Sequence, residues 1–311
     1  MKTQPTAARR HTARRHHTKR IMMVAGMLGI GTMVMAGCSA AESPAKAASN
    51  TEKLVFAMPP SPEDADINEA ATEMKSIIAN ATGLQVDQEM PADYLGVVEA
   101  LRQGHVDVAF MSPFSTALAV KNGSVDPLVV WEADASKPAS FCYARPDSGI
   151  KTLEDVRGKQ VAFVDPGSAT GYFMPSSMFT EAGMVAGTDY KSTFAGGHDT
   201  AMLALVNGSV DIACSSIADR LITAGTFEAD DIVQIAATDP LPVGVGIVVS
   251  TDMDPAVRAK LSAAMPKAMT GNEKLKDMAL GGTYTLDPGL EVYQPLLDVA
   301  ANVGVDLEDM R

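Results

Sequence analysis

The sequence predicts an α/β protein of two similar lobes with a cleft between them, joined by two crossing strands. Three observations lead there: a body large enough for two cores, a helix-turn-strand pattern used twice, and strand-like runs where the chain passes between halves. With 311 residues, 46% hydrophobic and 20% charged, the chain has ample material for a buried core.

The repeat is the most informative of the three. Residues 94–112 read YLGVVEALRQGHVDVAFMS and residues 198–216 read HDTAMLALVNGSVDIACSS, an ungapped offset of 104 in which seven of nineteen positions agree. Each copy starts with helical periodicity (Val97, Val98, Leu101; Met202, Leu205, Val206). Each then stops at a glycine suited to a helix C-terminus, Gly104 or Gly208, and enters a Val-Asp-[Val/Ile]-Ala strand.

The remaining elements follow from the same patterns. Residues 54–58 read as a first buried strand, 68–82 as a helix stopped by Gly83, and 84–88 as a second strand. In the second half a short helix opens at Thr152 and ends at Gly158, 160–164 is a strand, and 173–182 is a helix. The expected crossing strands are 140–144 and 243–250, after which the chain turns helical and returns to the first lobe. The expected boundaries are 51–140 plus 251–311 for one lobe and 141–250 for the other.

Charge separates a leader from this body. Residues 1–37 hold seven of the 25 Lys+Arg and none of the 38 Asp+Glu, so the overall net charge of -13 becomes -20 (18 basic against 38 acidic residues) beyond them. So acidic a body is repelled by nucleic acid and anionic lipid, and neither is an expected partner. The basic stretch to Arg20 is followed by uncharged residues 21–36, the pattern of a secretory signal peptide over 1–37. Arg14-Arg15 is followed by His16-His17 where a twin-arginine signal carries an apolar residue. Met35-Ala36-Gly37-Cys38 resembles the bacterial lipobox, so lipidation is expected at Cys38, with 38–50 as a flexible tether. The expected location is the extracytoplasmic face of the cell membrane, held only by that lipid, and the expected state is a monomer.

The two other cysteines, Cys142 and Cys214, sit in apolar strand-like runs. That placement favours buried free thiols, although an oxidising compartment leaves a disulfide open. The mature chain would hold only His105 and His198, too few for a Cys/His nucleophile or a zinc site, so no metal, cofactor or catalytic residue is expected. A phosphoesterase on this scaffold would need a metal cluster or an activated nucleophile, and neither candidate loop below carries an Asp-x-Asp or His-x-His pair.

Candidate site residues gather at two turns. After the strand 160–164 comes Asp165-Pro166-Gly167-Ser168-Ala169-Thr170-Gly171-Tyr172, a turn opening a helix, which presents backbone N–H groups and the Ser168 and Thr170 hydroxyls to an anion or caps the helix with them. It lacks the nucleotide P-loop pattern. The second turn is Gly196-Gly197-His198-Asp199, ahead of the second repeat helix, where the repeat alignment sets His198 opposite Tyr94. Two helix starts facing one cleft would converge on a small anion.

These segments resemble the phosphonate, phosphate and phosphite substrate-binding proteins of bacterial ABC importers, which have the two-lobed type II periplasmic-binding-protein fold. The matching stretches are DYLGVVEALRQGHVDVAFMSPFSTALA, DPGSATGYFMP, FAGGHDTAMLALVNGSVDIACSS and TDPLPVGVGIVVSTDMDPAVRAKL, in that order. The resemblance implies ligand contacts from Tyr94, Ser115, Ser168, Ala169, Thr170, Gly171 and His198, with Asp199 beside them. It also implies an ABC permease as partner, or a membrane sensor if the protein signals instead of feeding a transporter. The family's aromatic after the first repeat strand is Thr116 here. Its ammonium-pairing carboxylates fall at Ala218, next to Asp219, and in Gly244-Val245-Gly246. Without them an ammonium would be buried unpaired, so a small phosphorus oxyanion is the expected ligand. Asp199 beside a bound dianion would further require a shared proton, and hence a ligand carrying P–OH.

Overall fold

The two repeats build the same unit in each half of the molecule. A computed structural model of the chain describes residues 52–61, 65–123, 125–275, 278 and 283–305. The leader, Cys38 and the tether lie outside the described residues. The first half contains β1 (Lys53–Ala57), α1 (Ala65–Thr82), β2 (Gln85–Gln88), α2 (Tyr94–Arg102), β3 (Val108–Met111), α3 (Pro113–Lys121) and β4 (Val125–Trp131). The second contains β5 (Phe141–Ala144), β6 (Gln160–Phe163), α4 (Met174–Glu181), β7 (Lys191–Phe194), α5 (His198–Val206), β8 (Ile212–Ser215), α6 (Ala218–Thr223) and β9 (Val233–Ala237). The chain then runs through β10 (Gly246–Ser250), α7 (Pro255–Gly271), β11 (Tyr284–Leu286) and α8 (Gln294–Asn302).

Each lobe is a mixed sheet flanked by helices. The strand order is β11-β4-β10-β3-β1-β2 in the first and β7-β6-β8-β5-β9 in the second. The parallel triplets β2-β1-β3 and β7-β6-β8 correspond, with Ala57 opposite Ala109 and Ala162 opposite Ala213.

The repeated residues have a structural reason. Both repeat helices end in a Schellman motif: Gly104 and Gly208 take positive φ (72° and 74°). The amides of Gly104 and Gly208 donate to Leu101 and Leu205, and those of His105 and Ser209 donate to Ala100 and Ala204. The repeated aspartates then tie the next strand to its parallel neighbour. Asp107 accepts the Val55 amide at 2.7 Å and Asp211 accepts the Gln160 amide at 2.9 Å. The Gly-x-Val-Asp signature thus specifies the α/β unit and has no direct part in the site.

Two expectations need correction. The run 243–250 does not form a strand of the second lobe: β10 pairs antiparallel with β3 and β4 in the first sheet. The second lobe's sheet ends at Ala237, short of the expected boundary at 250. An apolar five-residue strand suits the centre of either sheet equally, and only pairing decides which. The two crossings are the segments β4 to β5 and β9 to β10. They run side by side, with Ala139 N–H to Asp239 O, Ser140 N–H to Thr238 Oγ1 and Gly244 N–H to Trp131 O. Two antiparallel, mutually bonded crossings make the hinge.

The second correction concerns the cysteines. Cys142 on β5 and Cys214 on β8 are directly opposite across an antiparallel pair, with Cα atoms 4.0 Å apart, and form a disulfide in place of the expected free thiols. Both are fully inaccessible, as their apolar strand-like surroundings predict. The neighbour relation of strands 72 residues apart is not written in the spacing.

Separate cores fill the lobes: Phe56, Met74, Ile78, Trp131, Leu261 and Met265 in the first, and Phe163, Phe179 and Tyr190 against the disulfide in the second. The helix α8 packs on α3 and α4, joining Phe114, Leu118, Phe173 and Leu296 in a cluster that spans both lobes.

Candidate functional site

The turn after β6 is shaped by close packing. A Cβ on Gly171 would fall far inside van der Waals contact of two Val164 carbons, so only glycine lets the turn fold back over the strand. Ser168 Oγ accepts the Gly171 N–H at 3.0 Å, and residues Ala169–Phe173 wind as a single π turn leading into α4. Ser168 therefore caps this turn, and it also faces the cleft. Asp165, 2% exposed, accepts the Gly167 N–H at 2.6 Å; burial raises its pKa, partly offset by the amides it accepts.

The lobes meet at this turn. Ser112 Oγ and Ser115 Oγ, at the start of α3, both donate to Gly167 O at 2.7 and 2.9 Å, and the Tyr94 amide donates to Asp165 Oδ2 at 3.2 Å. The repeat alignment leads one to expect a hydrogen-bonding side chain at each repeat helix start. At α2, Asp165 and Asp93 take the Tyr94 and Gly96 amides, so this helix start contributes the Tyr94 side chain instead. Burial, and behind it the charges of Asp165 and Asp199, push the Tyr94 phenol up, which keeps it a hydrogen-bond donor.

Tyr94, Ser168, Thr170 and His198 line one interlobe cleft of about 1210 Å³. The other expected residues lie behind it. Ser115 is spent on Gly167 O, Ala169 and Gly171 shape the turn, and Asp199 is fully buried, accepting the Thr200 N–H at 2.9 Å. Asp199 does not line the cleft, but its charge acts on Tyr94, which does.

His198 is 8% exposed and held at both ring nitrogens, Nδ1 2.9 Å from Ser215 Oγ and Nε2 3.3 Å from Thr170 Oγ1. Burial, reinforced by the Arg220 charge, lowers its pKa from 6.5 to about 3, so the ring is neutral at physiological pH. Stability linked to this group is fully present above pH 6.5. It is lost as pH falls towards about 3, because the unfolded imidazole takes up a proton the folded one refuses. The loss is on the order of a few kcal/mol. In urea unfolding between pH 7 and pH 4.5, His198→Asn should flatten the fall in stability; an unchanged slope would contradict a buried neutral imidazole.

Ser216 and Arg220 are among the lining residues that the sequence reading does not single out, while Asp219, read only as a substitute for a missing carboxylate, also lines the cleft. For Ser216 a signal existed, since it pairs with Ser112 in the repeat and both stand just beyond the C-terminal end of a central strand, lining the cleft. Ser216 Oγ donates to Thr170 Oγ1 at 3.1 Å. Arg220 revises the expected electrostatics: the cleft is not served by neutral hydroxyls alone, because a guanidinium stands close enough to lower the pKa of His198.

Comparison with known proteins bears on the whole body. Residues 56–287 match the family model described as ABC transporter, phosphonate, periplasmic substrate-binding protein. The chain is 33% identical over 193 residues to the phosphate-import protein PhnD of Mycolicibacterium smegmatis, a match covering 58% of this chain and 60% of that one. It is 25% identical over 227 residues to the phosphonates-binding periplasmic protein of Escherichia coli, covering 70% and 67%. The fold is that of PhnD1 from Prochlorococcus marinus, solved in complex with methylphosphonate (TM-score 0.70, 12% identity, 81% of this chain and 98% of that one).

Proposed function

The chain belongs to the family of periplasmic phosphonate substrate-binding proteins of ABC transporters, and from that premise we propose that it captures a small phosphorus oxyanion outside the cytoplasm and delivers it to a membrane permease. The observation that carries this reading is the convergence of Ser168, Thr170, His198 and Tyr94 on one cleft. Tyr94 belongs to the first lobe and the other three to the second, so a ligand held by all four is held by lobe closure. Met35-Ala36-Gly37-Cys38 supports anchoring through a lipid on Cys38. The protein acts as a monomer and as a receptor, with no chemistry of its own.

The cleft chemistry favours phosphate, phosphite or a simple alkylphosphonate. Neutral hydroxyls and a protonated phenol are donors to bare phosphoryl oxygens, with the neutral imidazole of His198 backing Thr170, and charge-assisted bonds of this kind are the strong ones. Arg220 and Lys137 supply attraction at short range against the Asp66, Asp134 and Asp219 carboxylates that also line the cleft, while salt screens the more distant carboxylates of the acidic body. Asp219 also lines the cleft, but its neighbour Arg220 opposes any ligand ammonium that approaches it.

Calorimetric titration and thermal shift with phosphite, phosphate, methylphosphonate, aminoethylphosphonate and a set of amino acids test this reading. A ligand at a thousand times its Kd should stabilise the fold by about 4 kcal/mol. The unsubstituted oxyanions and methylphosphonate should stand out. Tighter binding of aminoethylphosphonate, or a response to amino acids alone, overturns it.

A further inference from the structure

The imidazole of His198 carries one proton and two possible places for it, and the direction in which the site donates hydrogen bonds depends on which nitrogen holds it. Ser215 decides this. It ends β8 one residue beyond the disulfide cysteine, is fully buried, and does not line the cleft. Among the described residues its Oγ has two hydrogen-bond partners: the Ile217 amide at 3.2 Å and His198 Nδ1 at 2.9 Å. A backbone N–H only donates, so Ile217 fixes Ser215 Oγ as its acceptor. The serine's own proton then has one acceptor within reach, the Nδ1 lone pair.

We propose that Ser215 is a positioning residue that holds His198 as the Nε2–H tautomer and so aligns the donors of the cleft outward, selecting ligand atoms that bear lone pairs. Nε2–H points to Thr170 Oγ1, which also accepts from Ser216 Oγ. The ring N–H on its oxygen leaves the Thr170 hydroxyl proton to donate onward, away from the ring. The chain from the Ile217 amide through Ser215 and His198 to Thr170 thus has a single polarity, imposed at its inner end by a group that cannot reverse. The reverse tautomer would leave the Ser215 proton without an acceptor in a fully buried position and draw the Thr170 proton back onto the bare Nε2, turning an oxygen lone pair to the ligand, which repels a phosphoryl oxygen. This deepens the oxyanion reading of the cleft and rests on it for its meaning, but the tautomer itself can be observed without ligand.

The test is long-range proton–nitrogen correlation spectroscopy on the histidine-labelled protein, with His198 assigned by its loss in His198→Asn. The wild-type spectrum should show Nε2 protonated and Nδ1 bare between pH 6 and 8. The pattern of an Nδ1–H ring overturns the proposal, and this outcome needs no variant to fold. In Ser215→Ala the single-tautomer pattern should give way to a mixture, and methylphosphonate should bind roughly tenfold more weakly, as expected for one misaligned donor. Ser215→Thr, which keeps the hydroxyl, should restore both the tautomer and affinity to within about threefold. Unchanged affinity in a folded Ser215→Ala overturns the positioning role. An Nε2–H spectrum in a protein that binds neither methylphosphonate nor phosphate would instead refute the ligand class and leave the tautomer assignment standing.

Discussion

Replacing Gly171 with alanine is expected to weaken methylphosphonate binding by roughly 100-fold while leaving the protein folded. The added carbon cannot be accommodated beside Val164, a buried residue at the root of the turn, so the turn must lift. Lifting breaks the Gly171 N–H to Ser168 Oγ bond and shifts Ser168 and Thr170 together. A hydrogen bond to a charged group is worth about 1.5–3 kcal/mol, so misplacing two of them accounts for the loss. The stability cost should be smaller, about 1–3 kcal/mol, as for other overpacked sites. The second-site change Val164→Ala should recover a good part of the affinity, because it empties the space that the new methyl needs. Calorimetry on the single and double variants decides the matter: wild-type affinity in Gly171→Ala, or no recovery in the double variant, would show that the turn does not present the ligand donors.

The largest effect on stability is expected from the disulfide. Removing it through Cys142→Ala with Cys214→Ala should cost roughly 2–4 kcal/mol, since the bridge closes a long loop between adjacent buried strands. For a body of this size that corresponds to a fall in Tm on the order of 10 °C. Reducing the wild-type protein before the melt should produce a similar fall. The consequence extends to the cleft, because Cys214 is followed by Ser215 and Ser216, which hold His198 and Thr170. Methylphosphonate affinity should therefore drop in the double variant even at temperatures where it is fully folded. If two free thiols are found by labelling under denaturing, non-reducing conditions, the bridge does not form, and the stability prediction falls with it.

Much of this molecule is written locally. The repeat carries its own helix stops at Gly104 and Gly208 and its own strand ties at Asp107 and Asp211, all within a few residues of sequence, and the same spacing implied two lobes. Tyr94, Ser168, Thr170 and His198 were legible because each stands at a turn whose chemistry is unusual for its position, and all four line the cleft. The sheet to which Gly246–Ser250 belongs, the pairing of Cys142 with Cys214, and the presence of Arg220 in the cleft depend on which strands become neighbours and how two lobes face each other. An apolar strand, a buried cysteine and an arginine early in a short helix look the same wherever they end up, because their local energetics are the same.

The charge of the chain shows the same division. By itself the sequence determined an acidic body and a set of oxyanion-compatible hydroxyls, two facts in tension. Tertiary structure decided that Asp199 and Asp165 are turned inward onto backbone amides, while Arg220 and Lys137 stand at the cleft with the hydroxyls, facing Asp66, Asp134 and Asp219. At hydrogen-bond range the field is set by the nearest few groups, and at longer range salt screens the rest. An acidic protein can therefore hold an anion, and the arrangement that allows it arises only when residues far apart in the chain are folded against one another.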